Sequence, residues 1–543
     1  MEMIRGVNLG GWLVPERYIT PSLFATTNCT GVSSPGLGPG PGSSSGPGRK
    51  STSTSTSTST STSTSTSTST STPCAPLTPF PVDLHSLSTL LGPQSTSIHL
   101  KSHYETFLTR ADISKLHSHN VTHLRVPLPH YIFSASPDEP YVSDHIWSSF
   151  CTLVEYVREV NLQPLQIQIW VDLHTAPGSQ NGFDNSAFTT SPPTCKGWSN
   201  SPPNILRTLA VIDTLATAIV SSNFADVVTG FGVLNEPFVD CDRSVVEKFN
   251  DDAFSLVRDI MPPSTTIIIG DMFNASTFAD RKIWSDPLHS DGSALDSHYY
   301  HVFSQKPRGF SPRQHVAYVC EKNFRDATSC CGPNGMGRII GEWSAAFDTL
   351  VCAKLDDVML SYEDSPDDIL EHDRQISQDR RAFLRNFVEA QMVAYEGGDT
   401  AHNTHGNKMQ GWFFWNFKME GGAFAEWDFL RGVEEGWIPP FPSPSESSYD
   451  RFGSCESIIF RTVDDMTIVN EFPDPTTIKK DWQSVDPNDD VVLSHGQSLL
   501  NDHWQLPSFA RFLLAPLLVL ILVIASKLRI RPKKERRYTQ IST

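Results

Sequence analysis

Positive charge is scarce in this chain: 42 Lys and Arg stand against 60 Asp and Glu, a formal net charge of −18 over 543 residues. That balance excludes attraction of the whole chain to nucleic acid and suits a neutral polymer or an acidic medium. A Gly-rich phosphate loop opening a helix is missing too, and with it the usual signature of a nucleotide-binding protein. The ten cysteines, Cys29, Cys74, Cys151, Cys195, Cys241, Cys320, Cys330, Cys331, Cys352 and Cys455, include no pair at zinc-ligand spacing. Their scatter suits a few disulfides in an exported protein, whose connectivity the sequence leaves open. No charged segment followed by an apolar one precedes the first strand-like run, so no secretory leader is visible.

What is present falls into a strand and helix rhythm with one interruption. Residues 31–73 are almost wholly Gly, Pro, Ser and Thr, with an unbroken Ser-Thr alternation from Ser51 to Thr72. Too little apolar surface is available there to offset ordering entropy, so disorder is expected. Such a tract is either an O-glycosylated stalk or a simple-repeat expansion. Eight apolar runs read as strands: Arg5–Leu9, His123–Val126, Gln166–Asp172, Val228–Asn235, Thr266–Ile269, Leu295–Tyr299, Ile339–Gly341 and Trp412–Phe417. Helical spacers separate most of them, at Arg110–His119, Trp147–Val160, Ile205–Ser221, Val245–Ile260 and Arg380–Tyr395. That is the pattern of an α/β chain folded as a (β/α)8 TIM barrel, with its site at the carboxyl ends of the strands. The expected catalytic barrel comprises 1–30 and 74–460, with 31–73 inserted in its first loop.

Beyond the barrel, 461–508 reads as a polar linker. Residues 509–530 contain the apolar run Phe512–Ala525 and are followed by a basic tail, 531–543. The run is short for a bilayer core of about 30 Å, but snorkelling Arg511 and Lys527 extend it. A single transmembrane helix is therefore expected, with the tail in the cytoplasm and the barrel outside at the plasma membrane. An outside barrel needs a route across the membrane. Either residues upstream of Met1 supply it, or the protein is tail-anchored with its barrel in the cytosol. The sequons at Asn28, Asn120 and Asn274 are compatible with export.

Two strands end in glutamates. GFGVLNEP, Gly230–Pro237, delivers Glu236, and GRIIGEWS, Gly337–Ser344, delivers Glu342. A lone Asn-Glu-Pro is more often a surface or capping group. Two strand-end glutamates on opposite sides of one barrel mouth are instead the pair that retaining glycosidases need, a proton donor and a nucleophile. Arg125 closes the second strand, where a charge-assisted hydrogen bond would hold a nucleophile ionised. His174 follows the third strand, His298 and Tyr300 the sixth, and Asn235 is placed to bond a sugar 2-hydroxyl. Trp12, Phe183, Phe303, Trp412 and Trp415 are the aromatics available to stack on pyranose faces.

Seven segments together carry a family resemblance. They are RGVNLGGWLVPERYITPSLF at Arg5–Phe24, LRVP at Leu124–Pro127, DLHTAPGSQNGFDNS at Asp172–Ser186, LNEP at Leu234–Pro237, HYYHVF at His298–Phe303, GEWSAA at Gly341–Ala346 and GWFFWNFK at Gly411–Lys418. Apart from the inserted low-complexity loop, most of the chain from Met1 to Cys455 closely resembles the fungal exo-1,3-β-glucanases of glycoside hydrolase family five. The resemblance implies a retaining (β/α)8 hydrolase that releases glucose from the non-reducing end of cell-wall β-1,3-glucan and needs no metal or cofactor. It implies Glu236 as acid/base and Glu342 as nucleophile, surrounded by Arg125, His174, Asn235, His298 and Tyr300. Glu16 and Trp415 match positions lining the glucose subsite, Phe183 and Phe303 an aromatic entrance clamp, and Cys320 with Cys455 a disulfide. Three segments depart from the family pattern: Pro15-Glu16-Arg17, Pro129-His130-Tyr131 and Phe417-Lys418-Met419-Glu420. All border the expected cleft, where linkage preference is decided.

The expected protein is thus a membrane-anchored glucan 1,3-β-glucosidase that remodels cell wall, monomeric, with β-glucan and membrane but no nucleic acid as partners. The alternatives are a β-glucosidase for β-1,6-glucan or a glucolipid, and a non-hydrolytic membrane-anchored glucan sensor.

Overall fold

A computed structural model describes residues 3–25, 80–275, 292–303, 305–329, 336–348, 375–398 and 409–468. The insertion at 31–73, the expected membrane helix and the basic tail all lie outside the described residues. Eight parallel strands close into one barrel in chain order. They are β1 Ile4–Asn8, β2 His123–Leu128, β3 Gln168–Leu173, β4 Val228–Gly232, β5 Thr266–Gly270, β6 Ser293–Tyr299, β7 Gly337–Trp343 and β8 Met409–Phe414. Each expected strand is found within a few residues of its expected bounds.

The alternation of side chains along each strand sorts residues into two cores. Inward, Ile4, Trp170, Ile268, Ala294, Ile339 and Phe413 fill the barrel. Outward, residues such as Val7, Leu124, Val126, Phe231, Leu295, Ile340 and Trp412 join the larger core beneath the helices. Arg243–Ile260 shows how a helix meets that core: Val246, Phe249, Asn250, Ala253, Phe254 and Val257 are buried at helical spacing. Its start is capped by Asp242, whose carboxylate accepts from the Ser244 amide at 2.9 Å. The other expected helices are found as Arg110–Ser118, Ile146–Val160, Pro202–Ser221 and Gln378–Tyr395.

Strand pairing slips at one place that matters for the site. Ser297 of β6 pairs with Ile340 of β7, but His298 pairs with Glu342, so Gly341 is an extra residue on β7. Such a bulge turns the following side chain to the other face. Ile340 and Trp343 face outward into the helix-side core, whereas Gly341 lines the barrel interior and Glu342 points into the mouth.

Ordered packing continues past the last strand. The helix Cys455–Arg461 is tied by a disulfide from Cys455 to Cys320. Ile468 is buried in the main core, and its carbonyl accepts from Arg380 at 2.8 Å. A second disulfide, Cys195–Cys241, joins the segments that follow β3 and β4. Among the described residues Cys151 is the free cysteine.

Candidate active site

Strand ends bring the expected residues together. Past the end of β4 the chain still follows β3 as far as Asn235, whose amide donates to the Leu173 carbonyl at 2.9 Å. Glu236 then turns left-handed at φ 45°, and the chain leaves the barrel with the Glu236 carboxylate over the mouth. Carboxylate oxygens of Glu236 and Glu342, and a ring nitrogen of His298, all lie within 4.8 Å of one another. Glu236 is 5% exposed and Glu342 3%.

Each carboxylate has its own donors. Arg125 Nη1 donates to Glu342 Oε1 at 2.9 Å, and Tyr300 donates its hydroxyl to Oε2 at 2.7 Å. Asn185 Nδ2 donates to Glu236 Oε2 at 2.8 Å, and His298 Nδ1 bonds Glu236 Oε1 at 2.7 Å. His298 Nδ1 is also 3.4 Å from Glu342 Oε2. Arg125 is buried among acids, with Asp172 at 3.1 Å and Asp296 at 3.9 Å. It also donates to Asn8 Oδ1 at 2.9 Å and to Asn235 Oδ1 at 2.7 Å.

These surroundings set the charges. Burial works against the Arg125 cation, but Asp172, Glu342 and Asp296 outweigh it and hold the guanidinium charged. Burial likewise opposes charge on His298, and Glu342 with Asp296 overcomes it, raising its pKa well above the usual value. For Glu342 burial dominates and raises the carboxyl above the ordinary glutamate range, with His298 and Arg125 opposing and Glu236 adding to the rise. Asp172 is buried too, yet Arg125 and His174 pull it below its usual value.

Of the other expected residues, His174 is fully buried and bonds Asp172 through Nδ1 at 2.7 Å. Its ring lies parallel to that of Trp415, centroids 5.8 Å apart and 10° between planes. Trp415 Nε1 donates to the Tyr18 hydroxyl at 2.9 Å. The indole needs Gly10 beneath it, because a Cβ there would come within 2.6 Å of the ring. Glu16 is buried in the loop after β1. Phe183 packs edge-on against Phe238, and Phe303 against Tyr300 and beside Trp427. Trp412 is not at the mouth: alternation along β8 turns it outward, onto Trp343 and Phe441. Trp12 also sits in the outer core, its indole donating to the Tyr104 carbonyl at 3.0 Å.

Residues not singled out from the sequence complete the centre: Asn8, Tyr18, Asp172, Asn185 and Asp296. Asn8, Asp172 and Asp296 share strand parity with inward-facing residues, a signal that was there to be read. Asn185 had no such signal, because its position depends on how the loop after β3 folds back.

Among the buried polar atoms that lack a hydrogen-bond partner in the described residues are two at the site, His174 Nε2 and Asn235 Nδ2. Orphans of this kind are costly unless a polar ligand meets them. The Glu236, His298 and Glu342 atoms have the spacing of a metal-ligand set. A dication there would face the Arg125 guanidinium, 2.9 Å from Glu342, so the arrangement suits proton handling better than metal binding.

An eight-stranded barrel with paired buried carboxylates at its carboxyl-end mouth defines the class, a barrel hydrolase of the glycosidase type. A sequence profile of the Cellulase family, glycosyl hydrolase family 5, matches residues 82–368, and the chain belongs to that family. The chain is similar to the glucan 1,3-beta-glucosidase of Kluyveromyces lactis, 26% identical over 468 residues, covering 82% of this chain and 92% of that protein. It is similar to that of Blumeria graminis at 28% over 485 residues, covering 84% and 91%. It is also similar to glucan 1,3-beta-glucosidase 1 of Schizosaccharomyces pombe, at 27% over 461 residues, covering 82% and 91%. Among solved structures, the fold matches a rutinosidase from Aspergillus niger with TM-score 0.53 and 17% identity, covering 80% of this chain and 98% of that one.

Proposed function

We propose that this protein is a retaining exo-β-1,3-glucosidase that releases glucose from the non-reducing end of cell-wall β-1,3-glucan. The observation that carries this reading is the carboxylate pair, one oxygen of Glu236 lying within 4.8 Å of one oxygen of Glu342. Retaining enzymes hold the two carboxyl groups about 5–5.5 Å apart, whereas inverting ones leave roughly 6.5–9.5 Å for a water.

In the proposed mechanism Glu236 protonates the glycosidic oxygen while Glu342 attacks the anomeric carbon. The Arg125 and Tyr300 donors favour the ionised nucleophile. Water, deprotonated by Glu236, then releases β-glucose. Asn235 Nδ2 meets the 2-hydroxyl and His174 Nε2 another hydroxyl. Trp415 and Glu16 line the glucose subsite, and Phe183 and Phe303 clamp the entering chain. The names borne by the relatives support glucan as substrate.

Residues 509–530 as a plasma-membrane anchor, with 531–543 in the cytoplasm, complete the proposal. It rests on the apolar run and its basic flank. The departures at Pro129-His130-Tyr131 and its neighbours favour keeping β-1,6-glucan and glucolipids as second substrates. Purified protein should release glucose from laminarin, first as the β-anomer by NMR. Glu342→Ala should abolish this, with azide restoring turnover as a glycosyl azide of inverted configuration. No glucose from laminarin, the β-1,6-glucan pustulan or glucosylceramide would leave a non-hydrolytic sensor.

A further inference from the structure

Asp296 touches the element behind each half of the carboxylate pair. It stands on β6, in the layer beneath His298, and faces the barrel interior. Its Oδ1 accepts from the Gly341 amide at 2.7 Å, and its Oδ2 contacts His298 Nε2 at 3.4 Å. The Gly341 amide is available because the bulge takes it out of the β6–β7 ladder, which resumes only at Glu342. Side chain and glycine fit each other closely: a Cβ at 341 would lie 2.3 Å from both Asp296 oxygens, a distance that forces one of them to move.

We propose that Asp296 is a positioning residue, pinning the β7 bulge so that Glu342 faces the mouth and holding His298 by Nε2 so that Nδ1 meets Glu236. This rests on the reading of Glu236 as proton donor. Without the bulge, Glu342 would share the outward parity of Ile340 and point into the helices. Without an acceptor at Nε2, the ring loses the contact that fixes its plane and could turn Nδ1 away from Glu236. The groups facing His298 are Glu236 from β4, Glu342 from β7 and Asp296 from its own strand. Asp172 and Asp271 lie further out, and Arg125 shares Asp296 Oδ2. Of these only Asp296 reaches Nε2.

The test is Asp296→Asn in the full chain. Asparagine keeps an oxygen for the Gly341 amide but offers His298 an N–H in place of an acceptor. The expected result is a fall in kcat/KM on laminaribiose of about 10²-fold, the lower range of general-acid contributions. Turnover of dinitrophenyl β-glucoside, whose leaving group needs no proton, should fall far less. Gly341→Ala, which displaces Asp296 and the bulge together, should depress both substrates. Equal losses on both substrates for Asp296→Asn, or no loss, overturn the proposal. Nitrogen-15 spectra of the histidines give a readout independent of turnover: Nε2 of His298 should change from donor to acceptor, and an unchanged Nε2 signal overturns the proposal whatever the substrate proves to be. A wild-type chain inactive on every glucan would instead sink the glucosidase reading and leave the spectra to decide the role of Asp296.

Discussion

Tyr300 donates its hydroxyl to Glu342 Oε2 at 2.7 Å, opposite the Arg125 donor on Oε1. Two donors on one buried carboxylate offset the desolvation that holds it above the ordinary glutamate range. Tyr300→Phe removes one of them. The acid limb of kcat/KM, which lies above pH 4.5 if Glu342 governs it, should then move to still higher pH. Loss of the donor should lower kcat by about 10²-fold. An unshifted acid limb in steady-state kinetics would separate Tyr300 from the ionisation of Glu342.

Asp428 caps the helix Phe429–Glu434, accepting from the Arg431 amide, and also accepts from the Met419 amide, both at 2.9 Å. Burial outweighs these bonds and raises its carboxyl from 3.8 to about 6. A carboxyl raised in the fold stabilises below its unfolded pKa, and that contribution is lost as pH climbs to the folded value. The loss is about 3 kcal/mol at most. Asp428→Asn cannot ionise, so its Tm should fall less than that of wild type between pH 4 and pH 7. Parallel Tm curves in that range would rule the titration out.

Arg5 at the start of β1 is fully buried and forms two bonds to Glu396, at 2.7 and 3.0 Å. The same carboxylate accepts from the Ser448 amide and hydroxyl, both at 2.8 Å. Glu396→Ala leaves a buried guanidinium without its counter-ion, at a cost of about 3–5 kcal/mol. Because the pair sits at the amino end of the barrel, kcat per folded molecule should not change. Denaturant midpoints and turnover, measured together, check both halves.

The Cys320–Cys455 disulfide spans 135 residues and fastens the helix Cys455–Arg461 to the segment before β7. In a chain-entropy account, Cys455→Ser should cost about 2–5 kcal/mol. Protease nicking after Phe452 should become faster at temperatures below the wild-type Tm, as mass analysis of limited digests would record.

Much of this was legible along the chain. Runs such as Ile267–Ile269 are apolar and buried throughout, as strands covered on both faces are, and the helices between them carry one apolar stripe. Glu236 and Glu342 could be named because each ends such a run. Asn185 could not, since its contact with Glu236 joins two loops 51 residues apart. Trp412 and Trp415 look alike in GWFFWNFK, and only the direction each takes on leaving β8 separates a core residue from one at the mouth.

The sequence alone determined the barrel, the strand ends and which acids stand there, because side-chain period and apolar burial are local properties. Tertiary structure decided which way Glu342 faces. By strict alternation it would follow Ile340 into the helix-side core. One unpaired residue, Gly341, held by Asp296 from the neighbouring strand, turns it inward, and that turn exists only once two strands lie side by side.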